Sequence, residues 1–225
     1  MVFRNVIVCH MVPGSERTVG DVFGHYDQTT RPQDLGVIGR ILLSHHDLYL
    51  HVIERRQDPK ISGQTRGLPA FQKIAEAIGP YVTPYPRYWQ NPSDSVAKEF
   101  YRWVPQGQEE SEVPDPDRTL TVIVGRLKPG AEPDVARIFA ESDAGALPEA
   151  LGVTGRWLYA IDDVYVHLLE QRAAAAAATR ESHDRPAFAK IMEDLSPYVG
   201  PYRPEAWQGP EDSVATPFYR WRAED

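Results

Sequence analysis

A chain of 225 residues, 42% hydrophobic and 25% charged, has the make-up of an ordinary globular protein, with room for one large domain or two small ones. Its net charge of -8 argues against a nucleic-acid partner, which would need a basic face, and against adsorption to anionic membrane. No stretch approaches the ~18 apolar residues of a membrane span, the first residues lack the pattern of a signal peptide, and the single cysteine, Cys9, excludes an internal disulfide, so a cytoplasmic location is expected.

Taken in chain order, the first element is a β-rich run, "NVIVCHMV", stopped at Pro13-Gly14. Val19, Val22, Phe23 and Tyr26 then recur at helical spacing, which predicts a helix that ends with "GHYDQTTRP", Gly24 to Pro32. Two strands follow, Val37–Leu43 and Leu48–Glu54, joined by a short turn. Phe71, Ile74, Ala75 and Ile78 predict a second helix stopped by Gly79-Pro80. The last strand carries "EFYRWV".

The whole series is then written again. "DLYLHVIERR" from Asp47 returns as "DVYVHLLEQR" from Asp163, "LGVIGR" as "LGVTGR", "PAFQKI" as "PAFAKI", and "DSVAKEFYRW" from Asp94 as "DSVATPFYRW" from Asp212. A repeat this long is a duplicated domain. The expected organisation is a first domain over 1–104, an acidic linker over 105–117 and a second domain over 118–225. The alanine run Ala173–Ala178 extends the second helix of the second copy backwards.

The element order βαββαβ is the split βαβ unit of ferredoxin-like α+β folds, two helices on one face of a sheet. The bare face of each sheet needs cover. The expected fold is therefore two ferredoxin-like domains packed sheet to sheet, a monomer acting as an intramolecular pseudo-dimer, or dimeric α+β barrel.

The central hairpin carries the candidate chemistry. With a two-residue turn at His46-Asp47, Leu42 faces His51, and Arg40 shares its face one diagonal step away. Arg156 and His167 repeat the arrangement. Either the pair is functional or it is structural, with Glu54 and Glu170 as partners. His25, Tyr26 and Asp27 are expected beyond the last full turn of the first helix, at its end, with Asp27 returning as Asp143. His45 and His46 read as turn residues, His10 and His183 have no support, and no metal or cofactor set is expected. Most of the repeated aromatics read as core, while Tyr49, Tyr85 and Trp89 are candidates to line a cavity for a flat ligand.

The string "FGHYDQT…LGVIGRILLSHHDLYLHVIE…PAFQKI…DSVAKEFYRW" resembles the tetracenomycin-type aromatic polyketide cyclases, over nearly all of the first copy and most of the second. The resemblance implies a cofactor-free enzyme of bacterial polyketide biosynthesis that closes rings on a poly-β-ketone, free or tethered to an acyl carrier protein, by intramolecular aldol condensation and dehydration. It implies catalytic roles for Arg40, His51 and Asp27. It matches Asp143, Arg156 and His167 to the same positions in the second copy, and substrate contacts are expected from these and from His25, Tyr26, Tyr49, Tyr85 and Trp89. Where the family has a histidine just before the aspartate, this chain has Tyr26 and Ser142. A cofactor-free anthrone-type monooxygenase and a non-catalytic polyketide-binding protein stand as the other readings, because one architecture hosts several activities.

Overall fold

A computed structural model describes residues 2–56, 69–86, 88–107, 117–175 and 186–223. The first repeat forms β1 (Phe3–Met11), α1 (Glu16–Thr29), β2 (Val37–His45), β3 (Leu48–Arg55), α2 (Pro69–Ile78), β4 (Val82–Pro84) and β5 (Lys98–Trp103). The second forms β6 (Arg118–Leu127), α3 (Glu132–Asp143), the short α4 (Leu147–Ala150), β7 (Val153–Ile161), β8 (Val164–Arg172), α5 (Pro186–Leu195), β9 (Val199–Pro201) and β10 (Thr216–Arg222). Of the linker 105–117, residues 108–116 lie outside the described residues. Ala173–Ala175 are helical, while Ala176–Ala178 and His183 fall outside the description.

The strands form two five-stranded antiparallel sheets, ordered β10-β2-β3-β1-β4 and β5-β7-β8-β6-β9. The ferredoxin-like unit is present in each, but its fourth strand is not the "FYRW" segment expected from the sequence. That place is taken by the three-residue strands β4 and β9, which pair with β1 and β6. The "FYRW" strand is a fifth one, and it is exchanged. β10, from the second repeat, pairs with β2, while β5, from the first, pairs with β7. The compact units therefore differ from the repeats 1–104 and 118–225. The first unit runs to Ala97 and resumes at Thr216, and the second begins at Lys98 and ends at Ala215.

Within the first unit the register follows from side-chain alternation. β2 and β3 pair as Arg40 with Ile53, Leu42 with His51 and His45 with Leu48, around a two-residue turn in which His46 has φ +55°. The second unit repeats this with Leu158 opposite His167, and Asp162 has φ +48°. Ile7 pairs with His51 and Cys9 with Tyr49, so these side chains share one face. On that face Cys9, Met11, Leu42 and Tyr49 pack with Val19 and Phe23 of α1 and Ile74 and Ile78 of α2. The reverse face carries Val6, Val8, Leu43, Leu50 and Val52, all buried. Removing each such side chain from water contributes about 2 kcal/mol.

Helix α1 differs from its expected stripe. The residues it buries are Val19, Gly20, Phe23 and Asp27, not Val22 and Tyr26. It ends at Thr29, within "GHYDQTTRP" as expected, but His25, Tyr26 and Asp27 lie inside it rather than beyond its last full turn. The Thr29 hydroxyl donates to the carbonyl of His25 and the Thr30 hydroxyl to that of Tyr26, closing the last turn before Pro32. In α5, Ile191 and Leu195 are buried as expected, but Met192 faces out.

One glycine is required by a close backbone approach. A β-carbon on Gly125 would lie 2.7 Å from the carbonyl oxygen of Gly200 in the β6–β9 pair, whereas one on Gly200 meets nothing within 4 Å. Gly125→Ala is expected to destabilise the fold by about 1–3 kcal/mol, and Gly200→Ala by less than about 0.5 kcal/mol, in urea unfolding of the two variants. Equal losses would show that the β6–β9 approach is not tight.

Candidate active site

The helix-facing surface of each sheet carries one buried charged array. In the first unit, Arg40 on β2 extends beneath α1, where its Nη2 lies 3.4 Å from Oδ1 of Asp27. The Asp27 side chain is 1% exposed and that of Arg40 10%. A buried guanidinium stays protonated and needs a partner, and α1 supplies it from the same stripe that holds Val19 and Phe23. The Phe23 ring also faces the array, 5.4 Å from the Arg40 guanidinium carbon and edge-on to His51 at 5.2 Å.

A tyrosine completes the carboxylate's surroundings. The Tyr219 hydroxyl donates to Oδ2 of Asp27 at 2.8 Å. Its position depends on a β-bulge: Pro217 pairs with Leu43, but Tyr219 pairs with Leu42, leaving Phe218 as the extra residue. Without that extra residue, alternation would turn Tyr219 to the reverse face. Trp221, opposite Arg40, then lies 5.8 Å from the guanidinium carbon.

The second unit builds the same array from the same positions. Arg156 Nε donates to Asp143 Oδ2 at 3.0 Å, Arg156 Nη1 lies 2.9 Å from His167 Nε2, and the Tyr101 hydroxyl donates to Asp143 Oδ2 at 2.9 Å. β5 carries the corresponding bulge, between Glu99 and Tyr101.

Burial and charge set the protonation states. His51 sits well below its ordinary pKa because it is buried, with Arg40 and then Arg55 adding to the shift. His167 is lowered by burial and by Arg156. Both imidazoles are thus held neutral. The Asp27 carboxyl is raised by burial, which outweighs Arg40 and the Tyr219 hydrogen bond. Tyr49, fully buried beside the array, is raised by burial. Burial likewise pushes the Cys9 thiol up to about 11, which makes it a poor nucleophile near neutral pH.

The structure thus gathers Asp27, Arg40, His51 and Tyr49 in one place and Asp143, Arg156 and His167 in another. The other expected residues lie apart. His25 is exposed and lines an open groove of about 560 Å³ between α1 and β10, with Arg17, Gly20, Gly24 and Tyr219. Tyr26 is half-buried and packs on His25. Tyr85 packs at a tilt against His10, whose side chain leaves β1 on the face opposite Cys9, and Trp89 is 40% exposed. Glu54 and Glu170 are not partners of the array: Glu54 accepts from Arg4 and Arg222, and Glu170 from Arg118 and Thr154. Tyr219, Tyr101 and Arg55 were not expected. The doubled "FYRW" was the signal for the tyrosines, but its target carboxylate belongs to the other repeat. Among the described residues, no group of three or more His, Cys, Asp or Glu side chains is placed to hold a metal ion.

The sequence pattern of the polyketide synthesis cyclase family matches residues 3–104 and again residues 119–222. This chain belongs to that family. Tetracenomycin F2 cyclase of Streptomyces glaucescens is 38% identical over 104 residues, covering 95% of that protein and 46% of this chain. An uncharacterized protein of Streptomyces coelicolor is 46% identical over 102 residues, covering 92% of that protein and 45% of this chain. Such relatives are the length of one repeat, so this member carries the family twice. Over its full length the chain also resembles the solved structure of an anthrone oxidase-like protein, at 12% identity and a TM-score of 0.54, covering 98% of that chain. A likeness at that identity concerns the fold alone.

The buried imidazoles make a prediction about stability. Each is lowered in the fold relative to its ordinary 6.5, so below that pH the unfolded chain binds protons that the folded chain does not. Unfolding free energy should fall on acidification below about pH 6.5, by up to about 1.4 kcal/mol per pH unit for each histidine. Asp27, raised from 3.8, acts in the opposite sense, since its stabilising effect is lost as pH rises above that value. Comparison with His51→Gln/His167→Gln isolates the histidines: urea unfolding from pH 7.5 to 5 should show a shallower slope for the variant. An unchanged slope would mean the imidazoles are not held neutral.

Proposed function

We propose that this protein closes a ring on a poly-β-ketone by intramolecular aldol condensation and loss of water, using Arg40, His51 and Asp27. The observation that carries the reading is a neutral, buried imidazole, His51, whose Nε2 has no hydrogen-bond partner among the described residues, on the same sheet face as a buried guanidinium. Membership of the polyketide cyclase family supports it.

The residue types suit the steps. A methylene between two carbonyls is acidic enough for a neutral imidazole to take its proton. The enolate carbon then attacks a second carbonyl of the same chain, forming the carbon–carbon bond and leaving an alkoxide. Arg40, which cannot act as a base, stabilises the negative charge on the enolate and then on the alkoxide. The imidazolium returns its proton to the alkoxide, giving a hydroxyl and a neutral imidazole. In the dehydration that imidazole takes a second proton from the ring and delivers it to the departing hydroxyl, which leaves as water. Asp27 fixes the guanidinium, and enclosure of the folded chain supplies proximity. None of these steps calls on a group outside the protein. The substrate is proposed to be a polyketide, free or carrier-bound, and each chain is proposed to act without a second copy.

In a reconstituted pathway with analysis of the aromatic products, Arg40→Gln and His51→Ala should each slow cyclisation at least about 100-fold. Because burial and then Arg40 lower His51, the acid limb of kcat/KM should lie below pH 6.5 and move upward in Arg40→Gln. Wild-type rates and products from both folded variants would sink the reading, as would oxygen uptake coupled to oxidation of an anthrone.

A further inference from the structure

The two arrays descend from one sequence, yet they are not set the same way. In the second unit every strong group is engaged: Arg156 binds Asp143 through Nε and reaches His167 Nε2 through Nη1. A guanidinium has no lone pair to share, so this contact makes His167 Nε2 the acceptor and leaves its proton on Nδ1. The lone pair that a base would use is occupied. In the first unit Arg40 lies 3.4 Å from Asp27, outside hydrogen-bond geometry, and Arg40 Nε, Asp27 Oδ1 and His51 Nε2 have no hydrogen-bond partner among the described residues.

A substitution accompanies the difference. Arg55 on β3 shares the face of His51 and acts electrostatically on both His51 and Arg40. The matching residue on β8 is Gln171, neutral, and its side-chain amide donates to the carbonyl of Leu151 at 3.1 Å. The first array thus has a second guanidinium where the second has a tied-down amide. Along α1, Gly20 and Gly24 border the groove beside Tyr219, while Ala136 and Ala140 hold those places in α3.

We propose that the duplicated sites have divided: the Asp27–Arg40–His51 site, with Arg55 as a second stabiliser of enolate charge, performs the ring closure, and the Asp143–Arg156–His167 set is a closed network that holds the second unit together. This rests on the reading given under Proposed function. Arg55 is here a positioning and field residue, acting beside Arg40, Asp27, Tyr49, Cys9 and Tyr219, the other titratable groups around His51.

Two measurements on the full-length chain test the division. In ¹⁵N spectra of histidine-labelled protein near neutral pH, His167 should be a single Nδ1–H tautomer with a hydrogen-bonded Nε2, and His51 should lack that signature. Matching signatures would overturn the division and leave the cyclase reading standing. In cyclisation assays the loss of kcat should be at least about 30-fold greater for His51→Ala than for His167→Ala, and Arg55→Gln should move the acid limb upward. Equal losses, or a larger loss from His167→Ala, overturn the division. No loss from either variant overturns both the division and the reading beneath it.

Discussion

A guanidinium buried between a carboxylate and an imidazole is the interaction on which the site of each unit depends. Arginine cannot shed its charge to suit an apolar setting, so a carboxylate must reach it inside the fold. That requirement explains why α1 continues to Thr29, and why the innermost residue of its last turns is Asp27 rather than an apolar one. It also explains the position of Arg40, two residues along β2 from the residue that faces His51, the spacing that puts both on one face. Phe23 and Trp221 lie beside the guanidinium, whose Nε has no hydrogen-bond partner among the described residues.

The carboxylate depends in turn on strand exchange. Asp27 belongs to the first repeat, and the Tyr219 hydroxyl that binds it belongs to the second; Asp143 and Tyr101 are related the other way round. Each array is therefore complete only because the chain lends its fifth strand to the other repeat's sheet, and because a single extra residue in that strand turns the tyrosine inward. With the repeats joined in one chain, each copy of the array can change separately. Arg55 against Gln171, and a hydrogen-bonded His167 against a His51 whose Nε2 has no partner among the described residues, are changes that a symmetric assembly of identical chains could not hold.

Much of the fold was legible because strong periodicity marks long elements. The two strands of the hairpin were legible from their apolar runs. Its two-residue turn at His46-Asp47 was an assumption, since a turn one residue longer would part Arg40 and His51. The pairing of His45 with Leu48 puts Arg40 and His51 on one face. β4 was not legible as a strand, since three residues carry no alternation to read. Nor was the destination of "FYRW": β2 and β7 both open with Val-x-Gly-Arg and continue as apolar strands, so pattern alone does not say which one receives it. The α1 stripe was misread because Tyr26 is apolar enough to look like core while Asp27 does not; the buried ion pair with Arg40 overrides hydrophobicity at that position. His25, Tyr85 and Trp89 were candidates by residue type, and type does not distinguish a groove, a loop and a buried array.

The central claim is that Arg40 and His51 act as one unit on one reacting centre. A double-mutant cycle on kcat/KM for ring closure tests it most directly, with Arg40→Gln, His51→Ala and the double variant assayed on the same linear substrate. Groups that act together lose nearly their whole contribution when either is removed. The account predicts that the double variant is within about threefold of the slower single variant. Losses that multiply, so that the double variant falls by the product of the two single effects, would show two independent contributions and contradict it.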